Sequence, residues 1–182
     1  VTDFQQYTIK RKAVWFVSNI KFNLEQYGLK GFSDEILKII EGCEIAIKLP
    51  EYGVATSTVE KHLVENGVEV IPSFESSARV VVETEKIISS SFSGIAALAR
   101  YYNKDCIIVK NTHPNDFQQQ QNIFNDHVAS LGNPIIIENN THMKAALGKP
   151  TKYRTNSHRC GVFRDDFIEE YYQELFNAQH PI

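Results

Sequence analysis

Six short apolar runs, alternating with helix-like stretches, leave this 182-residue chain very few folds to choose from. The runs are AVWFVS (13–18), EIAIKL (44–49), VEVIP (68–72), KIISS (86–90), CIIVK (106–110) and PIIIE (134–138). They are apolar along nearly their whole length, the pattern of strands covered on both faces. Helix patterns occupy 33–42, 56–67, 74–85, 93–102 and 114–132, and a further amphipathic stretch covers 165–177. Strands separated by helices pair in parallel through right-handed crossovers. The expected fold class is α/β, with a doubly wound, mostly parallel, six-stranded Rossmann-like sheet in the order 3-2-1-4-5-6.

Start and stop signals agree with this division. Ser33 opens the first helix, Asp34 and Glu35 fill its first turn, and Gly42 closes it; Thr56 and Gly67 bracket the second, and Gly132 ends the fifth. The run QQQQ (118–121) falls inside a helix pattern and reads as a solvated face. With 42% hydrophobic residues the chain can fill one core, so residues 1–182 are expected to form a single Rossmann-like domain, with 151–182 a basic loop plus C-terminal helix. The chain begins with Val1 and holds one methionine, Met143, and is therefore expected to be part of a longer product.

Charge and cysteine usage narrow the function. A net charge of −3 and a pI near 6.1 argue against nucleic-acid binding through bulk charge. Cys43, Cys106 and Cys160 are widely spaced and odd in number, which suits unbridged thiols in a reducing, intracellular setting. No apolar run approaches the roughly 18 residues of a membrane span.

In an open parallel sheet, ligands bind beyond the carboxyl ends of the strands where strand order reverses. Here that point lies between the first and fourth strands, whose loops read SNIKFN (18–23) and SSSFSG (89–94). Ser89, Ser90, Ser91 and Ser93, with Asn19 and Lys21, would then surround a phosphate or carboxylate at the amino end of a helix. Gly94 would let the backbone approach the ligand, and Ala96, Ala97 and Ala99 would let the helix lie close to the sheet. The bland reading is that Ser91 or Ser93 only caps that helix, which needs just one serine.

Other loops on the same edge are weaker candidates. In KLPEYG (48–53), Lys48 could reach a phosphate and Glu51 could act as a base, against a plain Pro-Glu turn with a snorkelling lysine. Ser73 and Glu75 read as a cap and a first-turn acid. His113, in NTHPND (111–116), is more often a turn residue than a catalyst. Lys152, Arg154, His158, Arg159 and Arg164 form a basic loop that could fold over a phosphorylated ligand. No GxGxxG follows the first strand, and no P-loop, GxSxG elbow or HExxH occurs, so the common NAD, ATP, serine-hydrolase and zinc-protease readings lose support.

A lysine-proline loop after a strand, GVEVIP (67–72), a helix and then KIISSSFSGIAALARYYNKDCIIV (86–109) follow one another. Over about residues 13–110 this order resembles the carboxyl-terminal domain of GT-B glycosyltransferases that build bacterial surface polysaccharides, in the manner of CMP-sugar-using Kdo transferases and sialyltransferases. The resemblance implies that Ser89, Ser90 and Ser91 contact the donor phosphate or carboxylate and that Lys48 stands in the basic donor loop. Lys48-Leu49-Pro50-Glu51 lacks the family's histidine, and a His-Pro pair occurs instead at His113-Pro114. The implied function is transfer of a sugar from a nucleotide-activated donor to a surface glycan, with no cofactor. An amino-terminal domain or partner chain would supply the catalytic base, and the protein would work in the cytoplasm, at the inner face of the membrane. The rivals are a stand-alone sugar-nucleotide-processing enzyme, such as an epimerase or hydrolase fragment, and a non-catalytic nucleotide-binding sensor.

Overall fold

A computed structural model of the chain describes residues 8–51, 53–102, 104–110, 117–128 and 134–150. Its strands are β1 (Arg11–Phe16), β2 (Ala46–Lys48), β3 (Val70–Ile71), β4 (Thr84–Ser89), β5 (Asp105–Val109) and β6 (Ile135–Ile137). Between and after them run α1 (Ile20–Ile40), α2 (Gly53–Glu65), α3 (Ser77–Val82), α4 (Gly94–Tyr101), α5 (Phe117–Val128) and α6 (Asn140–Gly148). The six strands pair in parallel throughout, in the order β3-β2-β1-β4-β5-β6, as expected from the sequence.

Alternation along the strands divides the core. Ala13, Trp15 and Val17 of β1 and its exit face one side, with Ile47, Ile88, Ile107 and Val109, and are covered by α1, α2 and α6. Val14 and Phe16 face the other, with Ile87, Cys106 and Ile108, and are covered by α3, α4 and α5. Ala96, Ala97 and Ala99 are fully buried, so α4 does lie close on the sheet. Cys106 is buried in β5, and burial pushes its thiol pKa up to about 12. Cys106 and Cys43 are both unbridged; Cys160 lies outside the described residues, as do His113, the basic loop and the 165–177 stretch.

Several boundaries differ from the sequence reading. Helix α1 starts at Ile20, inside what reads as the loop 18–23, and Ser33 does not open it. Ser33 is buried in mid-helix and its hydroxyl donates to Leu29 O, one turn back (3.1 Å). The apparent start reflects a break at Gly28 (φ 70°, ψ 174°), a conformation suited to glycine that divides α1 in two. Helix α2 starts at Gly53, one turn before Thr56. Helix α3 is half the expected length, because Ser76 caps it and Thr84 already pairs with Arg11 in the sheet. Gln120 in the QQQQ run is buried, while Gln118 and Gln119 are exposed. Helix α6 has no counterpart in the sequence reading; Asn139 caps it by accepting from His142 N (2.9 Å). No helix among the described residues is long and apolar enough to cross a membrane.

Candidate functional site

The sheet order puts the switch point between β1 and β4, where Phe16 pairs with Ser89 at the carboxyl ends of both strands. From there the chain turns into α1 on one side and α4 on the other, so the N-termini of two helices meet at the switch point. The loops are joined directly. Ser18 Oγ and Ser91 Oγ are 3.0 Å apart, Asn19 Nδ2 donates to Ser90 O (3.4 Å), and Ser90 N donates to Phe16 O (3.3 Å). Asn19 has left-handed backbone (φ 55°, ψ 36°), which asparagine tolerates better than most residues. Behind it, the fully buried Asn23 donates to Asn19 O (2.9 Å) and to Ser18 O (3.5 Å), bracing the turn.

The four serines do different work. Ser90 is wholly buried, and the Trp15 indole N–H donates to its hydroxyl (2.9 Å). Ser89 is buried as well; its hydroxyl donates to Ser91 O (2.7 Å), accepts from Ser91 N (3.3 Å) and lies 3.3 Å from Ser93 Oγ. Each hydroxyl of Ser89, Ser90 and Ser91 therefore has a partner inside the protein, although the sequence leads us to expect these serines to turn toward a phosphate or carboxylate. Ser91 and Ser93 are the partly exposed pair. Neither plays the simple cap: Ser93 stands at the N-cap of α4 in extended backbone with no side-chain capping bond. The orphan N–H groups of the first turn of α4 point outward from that end, where an anion is favoured.

Between these serines, Phe92 is buried with its ring 5.1 Å from that of Phe117 and 5.3 Å from that of Phe124. The serine turn is thus anchored in the core beneath it. Lys21 is exposed in the first turn of α1. Lys48 does not reach the serine turn: it is buried, and its ammonium donates to Pro72 O (3.1 Å) and Ser73 O (3.2 Å). Burial lowers its pKa from the ordinary lysine value, opposed by the charge of Glu75. Its role in this structure is to brace the loop after β3. Glu51 is exposed beyond β2 and lines a separate cavity with α2. Among the described residues, no three His, Cys, Asp or Glu side chains are grouped to hold a metal ion.

Sequence reasoning missed Trp15, Asn23 and Phe92. Asn23 left a signal, a polar residue four positions after Asn19 in an otherwise apolar-periodic stretch; the Trp15 contact left none, because it spans 75 positions.

The sheet order and the serine loops define a doubly wound, Rossmann-like domain with a polar switch point. No protein-family model matches the sequence, and no curated protein does. Among solved structures the chain is similar to the UDP-GlcNAc 2-epimerase of Methanocaldococcus jannaschii, crystallised with UDP-GlcNAc and UDP, with a TM-score of 0.51 at 13% identity. The match covers 94% of this chain and 46% of that one, so the chain spans about half the length of that enzyme. At this identity the likeness is one of fold.

Proposed function

We propose that the chain is a nucleotide-sugar-binding domain, and that it serves as the donor half of a glycosyltransferase acting on a surface glycan. The observation that carries this reading is the convergence of the α1 and α4 N-termini on a braced serine turn at the switch point. In this reading the donor phosphates lie across the first turn of α4, within reach of the Ser91 and Ser93 hydroxyls, with Lys21 adding positive charge. Backbone N–H groups and a fixed helix dipole stabilise the phosphate charge as the sugar leaves. Ser89, Ser90, Asn19 and Gly94 shape that turn, and no cofactor enters. The catalytic base belongs to a second domain or chain, and the protein works in the cytoplasm, at the inner face of the membrane. The Kdo-transferase and sialyltransferase pattern favours a CMP-linked donor.

A second reading, a sugar-nucleotide-processing enzyme, is supported by the likeness to an epimerase crystallised with UDP-GlcNAc and UDP. One calorimetric panel tests the shared claim: CMP, UDP, GDP and ADP titrated into the chain. Selective binding of one nucleotide at micromolar to millimolar affinity supports it, and equal or absent response to all four counts against it. NMR of a nucleotide sugar incubated with the protein then separates the two readings. A changed sugar still attached to its nucleotide indicates processing, and free nucleotide formed only with a glycan acceptor indicates transfer.

A further inference from the structure

Beyond the carboxyl ends of β2 and β3, on the same edge of the sheet, lies a cavity of about 760 Å³. Leu49, Val70 and Ile71 form its apolar part, and one face of α2 forms a polar wall. On that wall Thr56 is 7% exposed, and its hydroxyl is out of contact with water and has no hydrogen-bond partner. Buried hydroxyls are almost always partnered. The next residue, Ser57, satisfies its own by donating to Gly53 O (3.4 Å). A helical threonine has two accessible χ1 rotamers, so Thr56 can turn its hydroxyl into the cavity once a ligand offers a partner.

The rest of the lining says what kind of ligand. Glu51, Glu60, Lys61 and Ser73 line the cavity as well, and Lys61 Nζ also lies 3.9 Å from Glu65 Oε1. Two carboxylates and one ammonium disfavour a phosphate or carboxylate guest. Carboxylates accept from hydroxyl groups, while Thr, Ser and Lys donate to hydroxyl oxygens, and a ligand meeting both needs is a neutral polyol. Next to Ser73, Phe74 is 88% exposed on a loop that Lys48 holds by two carbonyls. Phe74 is not itself among the lining residues, but as the neighbour of Ser73 it can offer a flat apolar surface to the C–H face of a pyranose held in the cavity. We propose that this cavity is a carbohydrate subsite that takes one neutral sugar ring. The inference does not depend on nucleotide binding at the serine turn.

The test is protein-observed NMR on the full chain, with glucose, N-acetylglucosamine and inorganic phosphate as probes, up to about 100 mM to cover weak affinity. The proposal expects at least one sugar to shift amides at 53–61 and 72–75, and phosphate to leave them unmoved. Phe74→Ala and Glu60→Gln should each weaken the sugar about fivefold with an unchanged melting temperature, as loss of one contact implies. Thr56→Val should weaken it without loss of stability. The proposal falls if neither sugar moves these amides, if phosphate moves them instead, or if the shifts persist unchanged in the Phe74 and Glu60 variants. A UDP titration of the same sample reports on 89–94 separately, so either site can fail alone.

Discussion

Ser90 and Ser91 are adjacent and chemically identical, yet they answer to different neighbours. Ser90 closes a buried hydrogen bond with Trp15, so Ser90→Ala leaves an indole N–H unpaired and should cost about 1–3 kcal/mol. Ser91 is partly exposed, and its hydroxyl's one hydrogen-bond contact among the described residues is with the Ser18 hydroxyl. Ser91→Ala should change stability by less than about 1 kcal/mol but weaken nucleotide binding about tenfold, as loss of a charge-assisted hydrogen bond implies. Chemical denaturation and calorimetry on the two single variants check both halves; equal effects in both would contradict the assignment. The residue types of the site were legible in the sequence, and their directions were not. A hydroxyl's partner is chosen by contacts such as Trp15 to Ser90, which exist only once the strands have paired.

Glu83 gives the residue scale a pH dependence. It is nearly buried at the exit of α3, where Lys10 Nζ (2.9 Å) and Arg79 Nε (3.0 Å) donate to its carboxylate. The bonds from Lys10 and then Arg79 hold its pKa below the ordinary carboxylate value. A depressed acid contributes stability that is present above its unfolded pKa and is lost as pH falls through the folded one. Glu83→Gln should therefore be less stable than the wild type at neutral pH, and the gap should narrow as the medium is acidified below the ordinary carboxylate range. A gap that is constant from neutral pH down to acid would assign the loss to packing instead.

At the scale of elements, helix ends were the least legible feature. The stretch 20–27 was hidden because Gly28 interrupts the apolar period and Ser33-Asp34-Glu35 imitates a start. Inside α1 those residues follow the tertiary demand of Phe32, Ile36, Ile39 and Ile40, all buried against the sheet. Gly28 makes the break in a backbone region almost closed to other residues, with open space where a side chain would stand. Gly28→Ala should thus cost about 1–3 kcal/mol through conformation alone, without a clash. The denaturation midpoint should fall with an unchanged slope; an unaltered midpoint would mean that the kink is not held by the fold. Helix α6 escaped notice because Met143 and Ala146 are its only buried apolar residues, too few to mark a period. Asn140 nevertheless ties it down, donating to Ile39 O (2.9 Å) and Glu41 O (2.8 Å) at the end of α1.

At the scale of the whole molecule, strand order was the most legible feature. Fully apolar runs separated by helices admit few other arrangements, and the order alone places residues 18–19 beside 89–91. What the order does not carry is the ligand, since one Rossmann-like fold serves many chemistries. The central claim, that an anionic nucleotide sits on the first turn of α4, is therefore best tested by a change with opposite effects on stability and binding. Ser93 stands at the N-cap without a capping bond. Aspartate is a strong N-cap residue whose charge suits the helix dipole. Ser93→Asp should raise the melting temperature while its carboxylate competes with the phosphate, cutting nucleotide affinity by about tenfold or more. A variant that is equally or more stable yet binds the nucleotide as tightly as the wild type would contradict the claim.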